Sequence, residues 1–473
     1  MSNDEMSMKL VLIASMVFVV SCAPLSQTEG DLESRLLTYD IPKEALYTHH
    51  NDDYTVRVRT PGGQWEDLYE YNVIVDLDNP QNASMVYFDM QGTVEVSVQK
   101  NNGTVSDVQV RPASAGISPR LDGNAAYFTI SKPTKVSVEF DGDRLHNLHL
   151  FANAIEENRP SPQDEDVMWF GPGVHTPPEG DAFVVPSNTT VYIAGGALLK
   201  GGFHIKGVEN VTVRGHGVID KPHRGFEITH SNNVTIDGPI VINPEHYTVY
   251  GGQSRNVSIS NLKTFSAGSW TDGIDLMSCS DVLVDDVFLR TSDDSIAVYA
   301  HRWDYYGNVE NIRVVNSTLW ADIAHPIHIG IHGNAQAPEV IENLLFKNID
   351  VLEHDEDDRN YQGVMAISAG DANLVKDVRF ENIRISRMEE GMLFNFRSVF
   401  NEKYSHAPGG GVENIVLKDI HYDGTMFNPP VIEGYSADSY VNGVELDNVV
   451  VNGKRLELHD LDIGEHVQAV SVK

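Results

Sequence analysis

Asp272 and the adjacent pair Asp293 and Asp294 are the residues of this chain whose type and spacing best suit chemistry. Carboxyl groups can give or take a proton at a single bond, and three crowded together cannot all ionise freely, so one keeps a proton near neutral pH. Asp272 and Asp293 lie about one structural repeat apart in a region that repeats, and residues one repeat apart stack as neighbours. On an ideal strand Asp293 and Asp294 would point to opposite faces. Both can face one groove only if the pair sits at a bend or bulge at a strand end. Taken alone, an Asp-Asp pair in an acidic protein also reads as a solvated turn.

The element that must position these residues shows in a recurring pattern: Asn, Asp or Gly, then an aliphatic residue, then alternating polar and apolar positions. The pattern starts at Asn210, Asn233, Asn256, Asp281, Asn311, Asn343, Asp377, Asn414 and Gly443. A strand-period pattern returning at roughly 20 to 30 residues is the signature of a solenoid of short strands. A sandwich of regular hairpins would instead repeat at about 8 to 12 residues. The expected fold is therefore all-β, a right-handed parallel β-helix over residues 166–473. Ahead of it, residues 36–165 carry short, turn-punctuated strands without the long repeat, such as Tyr54-Thr55-Val56-Arg57-Val58 and Val136-Ser137-Val138-Glu139-Phe140. They predict an antiparallel β-sandwich, joined to the helix by an acidic, proline-containing stretch from Glu156 to Asp166.

The 473 residues are ample for more than one domain, and a hydrophobic content of 41% argues against disorder. A net charge of −34 argues against a nucleic-acid partner, whose phosphates it would repel. Residues 1–22 include a lysine, a short apolar core and the ending Val19-Val20-Ser21-Cys22. This reads as an export signal, too short for a confident membrane span. The ending resembles a bacterial lipoprotein processing site, with Cys22 as the lipid anchor and residues 23–35 as a polar tether; plain secretion is the alternative. Cys279 is then the one remaining cysteine, so no intramolecular disulfide is expected.

Three motifs stand in order along the solenoid: Trp270-Thr271-Asp272-Gly273-Ile274-Asp275, Ser292-Asp293-Asp294-Ser295-Ile296-Ala297, and Ala324-His325-Pro326-Ile327-His328-Ile329-Gly330. Together they resemble the pectinase-type β-helix glycoside hydrolases, the family 28 polygalacturonases and the family 49 dextranases and isopullulanases. The resemblance covers about residues 165–455. It implies that Asp293 is the general acid and that Asp272 and Asp294 hold and deprotonate the attacking water. An inverting hydrolase of this kind places acid and base about 6.5 to 9.5 Å apart. The resemblance also implies that His325 bonds a carboxylate or a sugar hydroxyl. The alternative for His325 is a structural histidine beside Pro326.

His328, Trp270, Tyr299, Trp303 and Arg397 complete the expected substrate-binding set, and Tyr305, Tyr306 and Trp320 are further aromatics expected near the acids. No metal site and no cofactor is expected. His325, His328 and His332 on an extended chain do not assemble a tetrahedral site without long-range help, and the acidic run His354 to Asp358 reads as a solvated loop rather than a calcium site. The sequence departs from family 28 where those enzymes carry an Arg-x-Lys pair that grips a uronate carboxylate. The matching stretch here is Gly363-Val364-Met365-Ala366-Ile367. The expected activity is therefore hydrolysis of α-glycosidic bonds in a polysaccharide or its oligosaccharides, by an enzyme that is not a standard polygalacturonase. A β-helix lyase and a non-catalytic carbohydrate-binding solenoid are the competing readings.

Overall fold

The computed structural model describes residues 33–473; the expected export signal, Cys22 and most of the expected tether lie outside the described residues. The repeat marks are the corners of the solenoid. Every one of them, from Asn210 through Asp377 and Asn414 to Gly443, has positive φ, the left-handed conformation that Asn, Asp and Gly tolerate best. Their side chains stack along the axis as amide ladders: Asn233 donates to Asn210 at 2.8 Å, Asn311 to Asp281 at 2.8 Å and Asn343 to Asn311 at 2.6 Å. A second ladder runs Asn316, Asn348, Asn382 on another corner. Asn210 and Asn233, each followed by Val-Thr, are thus ladder positions.

The aliphatic residue after each mark points inward and stacks on its equivalent. Val211, Val234, Val257, Val282, Ile312, Leu344, Val378, Ile415 and Val444 are in parallel register from coil to coil. All belong to one continuous core. A 20-stranded sheet, parallel except at Lys454–Arg455, wraps two sides of the helix from Val167–Phe170 to Val467–Val472. An 11-stranded parallel sheet forms the remaining side, from Ala182–Val184 through Ile274–Met277, Ile296–Tyr299 and Ile327–Gly330 to Asp462–Ile463.

Ahead of the helix, two sheets enclose a separate core that contains Val56, Val96, Phe88 and Phe140. Every pairing in them is antiparallel except one: Gln81–Gln91 runs parallel to Leu148–Ala154. The outer face of that sheet docks on the helix. Tyr71, Met85, Tyr87 and Phe151 pack against Leu198, Phe265, Phe288 and Trp320 of successive coils. Trp320 is therefore fully buried in the seam, with the guanidinium of Arg290 3.9 Å from its ring centroid. It is not one of the aromatics around the acids, because its strand Thr318–Ala321 faces the sandwich rather than the groove.

Candidate active site

Each sequence motif falls in the bend that leads into the 11-stranded sheet. Asp272 precedes Ile274–Met277, Asp293 and Asp294 precede Ile296–Tyr299, and His325 precedes Ile327–Gly330. The bend lets the adjacent aspartates share one groove. Main-chain bonds stack these turns: Gly273 N–H donates to Asp294 O at 2.9 Å and Ser295 N–H to His325 O at 2.8 Å. The rung partner of Asp272 is therefore Asp294, with Asp293 one residue before it. Gly273 permits this approach, since a Cβ there would lie 2.3 Å from the Ser295 carbonyl oxygen. Trp270 and Ala324 flank the motifs in the left-handed region, at φ 61 and φ 65, a conformation that is strained for side chains of either kind and clusters at functional sites.

One oxygen each of Asp272, Asp293 and Asp294 lies within 4.8 Å of the others. This is tighter than the acid–base separation expected of an inverting pair. Asp294 is tied at both oxygens: His325 Nδ1 lies 2.6 Å from Oδ1, while His328 Nδ1 at 2.9 Å and the Tyr299 hydroxyl at 3.1 Å reach Oδ2. Burial alone would raise its pKa, but the two imidazoles hold it well below the usual carboxylate range. Asp293 accepts only from backbone, from Asp294 N–H at 3.0 Å and Trp270 N–H at 3.2 Å. Burial first, then the charge of Asp294, pushes Asp293 up to about 7. Asp272 is also raised, by burial and by Asp275, Asp293 and Asp294. The cluster thus pairs a carboxyl that keeps its proton near neutrality with one held ionised.

His325 is fully buried; its Nε2 contacts the Tyr361 carbonyl oxygen, and Asp294 raises its pKa against the effect of burial. His325 and His328 do come together, and the long-range partner that gathers them is Asp294, through their Nδ1 atoms. The groove has a volume of about 480 Å³, and all three aspartates line it together with Trp270 and Tyr299. Trp270 stands at the rim, about half exposed, and Tyr299 is buried beneath the acids.

Two expected residues lie to either side. Trp303 stacks on Tyr250, centroids 5.4 Å apart, beside a neighbouring cavity that shares Arg302 and Tyr404 with the groove. Arg397 lines an adjoining cavity of about 550 Å³ and pairs with Glu433 at 2.5 Å. Sequence reasoning passed over Tyr247, Arg302, Tyr361 and Tyr404, which also line the groove. Only Asp275 among the overlooked groups carried a signal, since it ends the first motif. The others come from loops between strands, where no periodicity marks them.

A parallel β-helix with clustered carboxylates at the turns into one sheet is an architecture of enzymes that hydrolyse glycosidic bonds. The chain belongs to the glycosyl hydrolases family 28, whose model matches residues 192–462. Among solved structures it is similar to Dex49A from Penicillium minioluteum, with 15% identity, a TM-score of 0.59 and coverage of 92% of this chain and 96% of that one. It is also similar to the Yersinia enterocolitica family 28 exopolygalacturonase, with 13% identity, a TM-score of 0.52 and coverage of 80% and 96% respectively. At these identities the likeness shows the fold. No curated protein matches the sequence.

Proposed function

We propose that the protein is an exported, inverting glycoside hydrolase that cleaves α-glycosidic bonds in a polysaccharide or its oligosaccharides, with Asp293 as general acid and Asp272 and Asp294 holding the attacking water. The observation that carries this reading is the contrast between neighbours: Asp293 is pushed up to about 7, while Asp294 is held ionised by His325 and His328. Asp293 protonates the glycosidic oxygen as the bond breaks, and water loses its proton to the carboxylate pair as it attacks from the other face. Inversion is favoured over a covalent intermediate because four donors occupy both oxygens of Asp294, which leaves no free oxygen to form an ester, while the raised pKa of Asp272 makes it the stronger base of the pair. The close spacing of the three carboxyls makes stereochemistry the decisive measurement.

The substrate reading follows from the outer face of the sheet. Met365 and Ile367 belong to the core, so the outward positions of that strand are Ala366 and Ser368, in register with His328 and Gly330. Neither carries charge where the Arg-x-Lys pair would stand. Arg397, one coil further, is neutralised by Glu433. These features favour a glycan other than polygalacturonate, with Trp270 and Trp303 offering surfaces to sugar rings and Tyr299, His325 and His328 reaching it through Asp294. Residues 1–22 and Cys22 favour export, as an envelope lipoprotein or a secreted enzyme.

Purified protein should be assayed for reducing-sugar release on a panel of plant, microbial and algal polysaccharides, with NMR of the first-formed anomer. A β-anomer from an α-linked substrate supports inversion, and an α-anomer rejects it. Wild-type hydrolysis rates in both Asp293→Asn and Asp294→Asn would reject the assignment of the acids.

A further inference from the structure

A fourth carboxyl group lies among the three. Asp275 is fully buried on Ile274–Met277, in the outward row that runs Tyr250, Asp275, Ala297, His328 over consecutive coils. Neither of its oxygens has a hydrogen-bond partner among the described residues, and Asp272 Oδ1 lacks one too. The facing cation is Arg302, whose Nη1 stands 3.6 Å from Asp275 Oδ2, beyond hydrogen-bond length. An ionised carboxylate at this depth without a partner is costly, and two carboxylates cannot bond to each other because both only accept. One proton between them removes both penalties. Asp272 stands three residues ahead of Asp275, at the turn into the same strand, and a hydrogen bond from Asp272 is among the effects that lower Asp275 against burial.

We propose that Asp272 and Asp275 hold one proton between them, with Arg302 as their counter-ion, and that Asp275 is the positioning residue that keeps Asp272 oriented toward the groove. Arg302 is itself fixed, 4.9 Å from the Tyr299 ring centroid and 4.4 Å from that of Trp303. The ionisable groups around Asp275 are Tyr247 and Tyr250 from the preceding coil, Tyr299 from the following one, Asp272, Asp293 and Asp294 from the turns, and Arg302 from its loop. Burial raises Asp275 well above the usual carboxylate range against the opposing pull of Arg302. The catalytic meaning of the pair rests on the proposed role of Asp272, whereas the proton itself is tested without substrate.

An acid whose folded pKa is raised contributes stability that is complete below its unfolded pKa and is lost as pH rises. Asparagine at 275 keeps the shape, supplies an N–H to Asp272 and cannot ionise. Thermal melting of wild type and Asp275→Asn from pH 4 to pH 8 should therefore show the variant gaining on wild type as pH rises. A difference that stays flat, or a variant that loses ground as pH rises, would mean that Asp275 is an ordinary ion-pair partner of Arg302, and overturns the proposal. With the panel polysaccharide that wild type hydrolyses fastest as substrate, Asp275→Asn should move the acidic limb of the pH profile downward. Asp275→Leu, which offers Asp272 no partner, should lose about tenfold or more. A wild-type pH profile in Asp275→Asn together with full activity in Asp275→Leu overturns the positioning role. Retained activity in Asp293→Asn would instead count against the hydrolase assignment and leave the melting result intact.

Discussion

Two buried polar clusters sit on different sides of the same β-helix, and they are built on opposite terms. In the seam with the sandwich, Arg290 and Asp322 are both fully buried as side chains and form a two-pronged pair, with Arg290 also donating to Asn147 Oδ1 and to the Arg144 carbonyl oxygen. Both charges of this pair meet their opposite, although Trp320 Nε1 beside them has no partner among the described residues. In the groove, four carboxyls crowd together with one guanidinium and two imidazoles, and Asp272, Asp275 and His328 keep buried polar atoms without partners among the described residues. Buried polar groups are normally satisfied. The seam spends its charged groups on a matched pair that holds two layers in register, while the groove crowds like charges whose protons must be shared.

Variants that abolish the groove chemistry without touching the seam test this contrast most strongly. Asp293→Asn should lower kcat by about 10²- to 10⁴-fold, the usual worth of a general acid, and the loss is read by reducing-sugar assay. Because Asp293 is raised to about 7, its stability contribution is present at low pH and is lost as pH rises through about 7. The inactive variant should therefore melt higher than wild type at pH 8, and a lower melting temperature there would break the comparison.

The seam should respond in the reverse sense. Arg290→Met leaves Asp322 buried without its partner and should cost about 3 to 5 kcal/mol in denaturant unfolding, while the folded fraction keeps near-normal turnover. A loss of activity as deep as that of Asp293→Asn would show that the two clusters are coupled.

A smaller effect comes from pH alone. The acid must carry its proton, so kcat should decline on the alkaline side as Asp293 titrates near its value of about 7. Asp293→Glu should retain a basic limb but move it, whereas a limb unmoved in that variant would assign it to another group. Smallest of all, Asn343→Ala on an exposed corner ladder should cost about 1 kcal/mol, because alanine at φ 58 is strained. Asn343→Gly should recover most of that loss, separating backbone strain from the amide bond to Asn311.

The solenoid was legible because its causes are local. A corner needs a residue that accepts positive φ, and the next inward position needs an aliphatic side chain, so each coil writes both requirements into adjacent residues such as Asn233-Val234 and Asn343-Leu344. The acids were legible for a related reason. Short motifs at coil spacing become neighbours in a parallel ladder, which places Asp272, Asp294 and His325 on consecutive turns. The aromatic Trp320 was misread because closeness in sequence to His325 does not say which side of the coil a strand occupies.

By itself, then, the sequence determined the all-β repeat, its corners, and the set of carboxyl and imidazole groups brought to one sheet edge. Tertiary structure alone decided that Asp294 is held by both His325 and His328, that Arg302 and Asp275 join the cluster, and that the sandwich closes over the opposite side. The physical reason is range: corner conformation and inward packing depend on adjacent residues, whereas the protonation of a carboxyl depends on burial and on charges contributed by loops and coils far away in the chain.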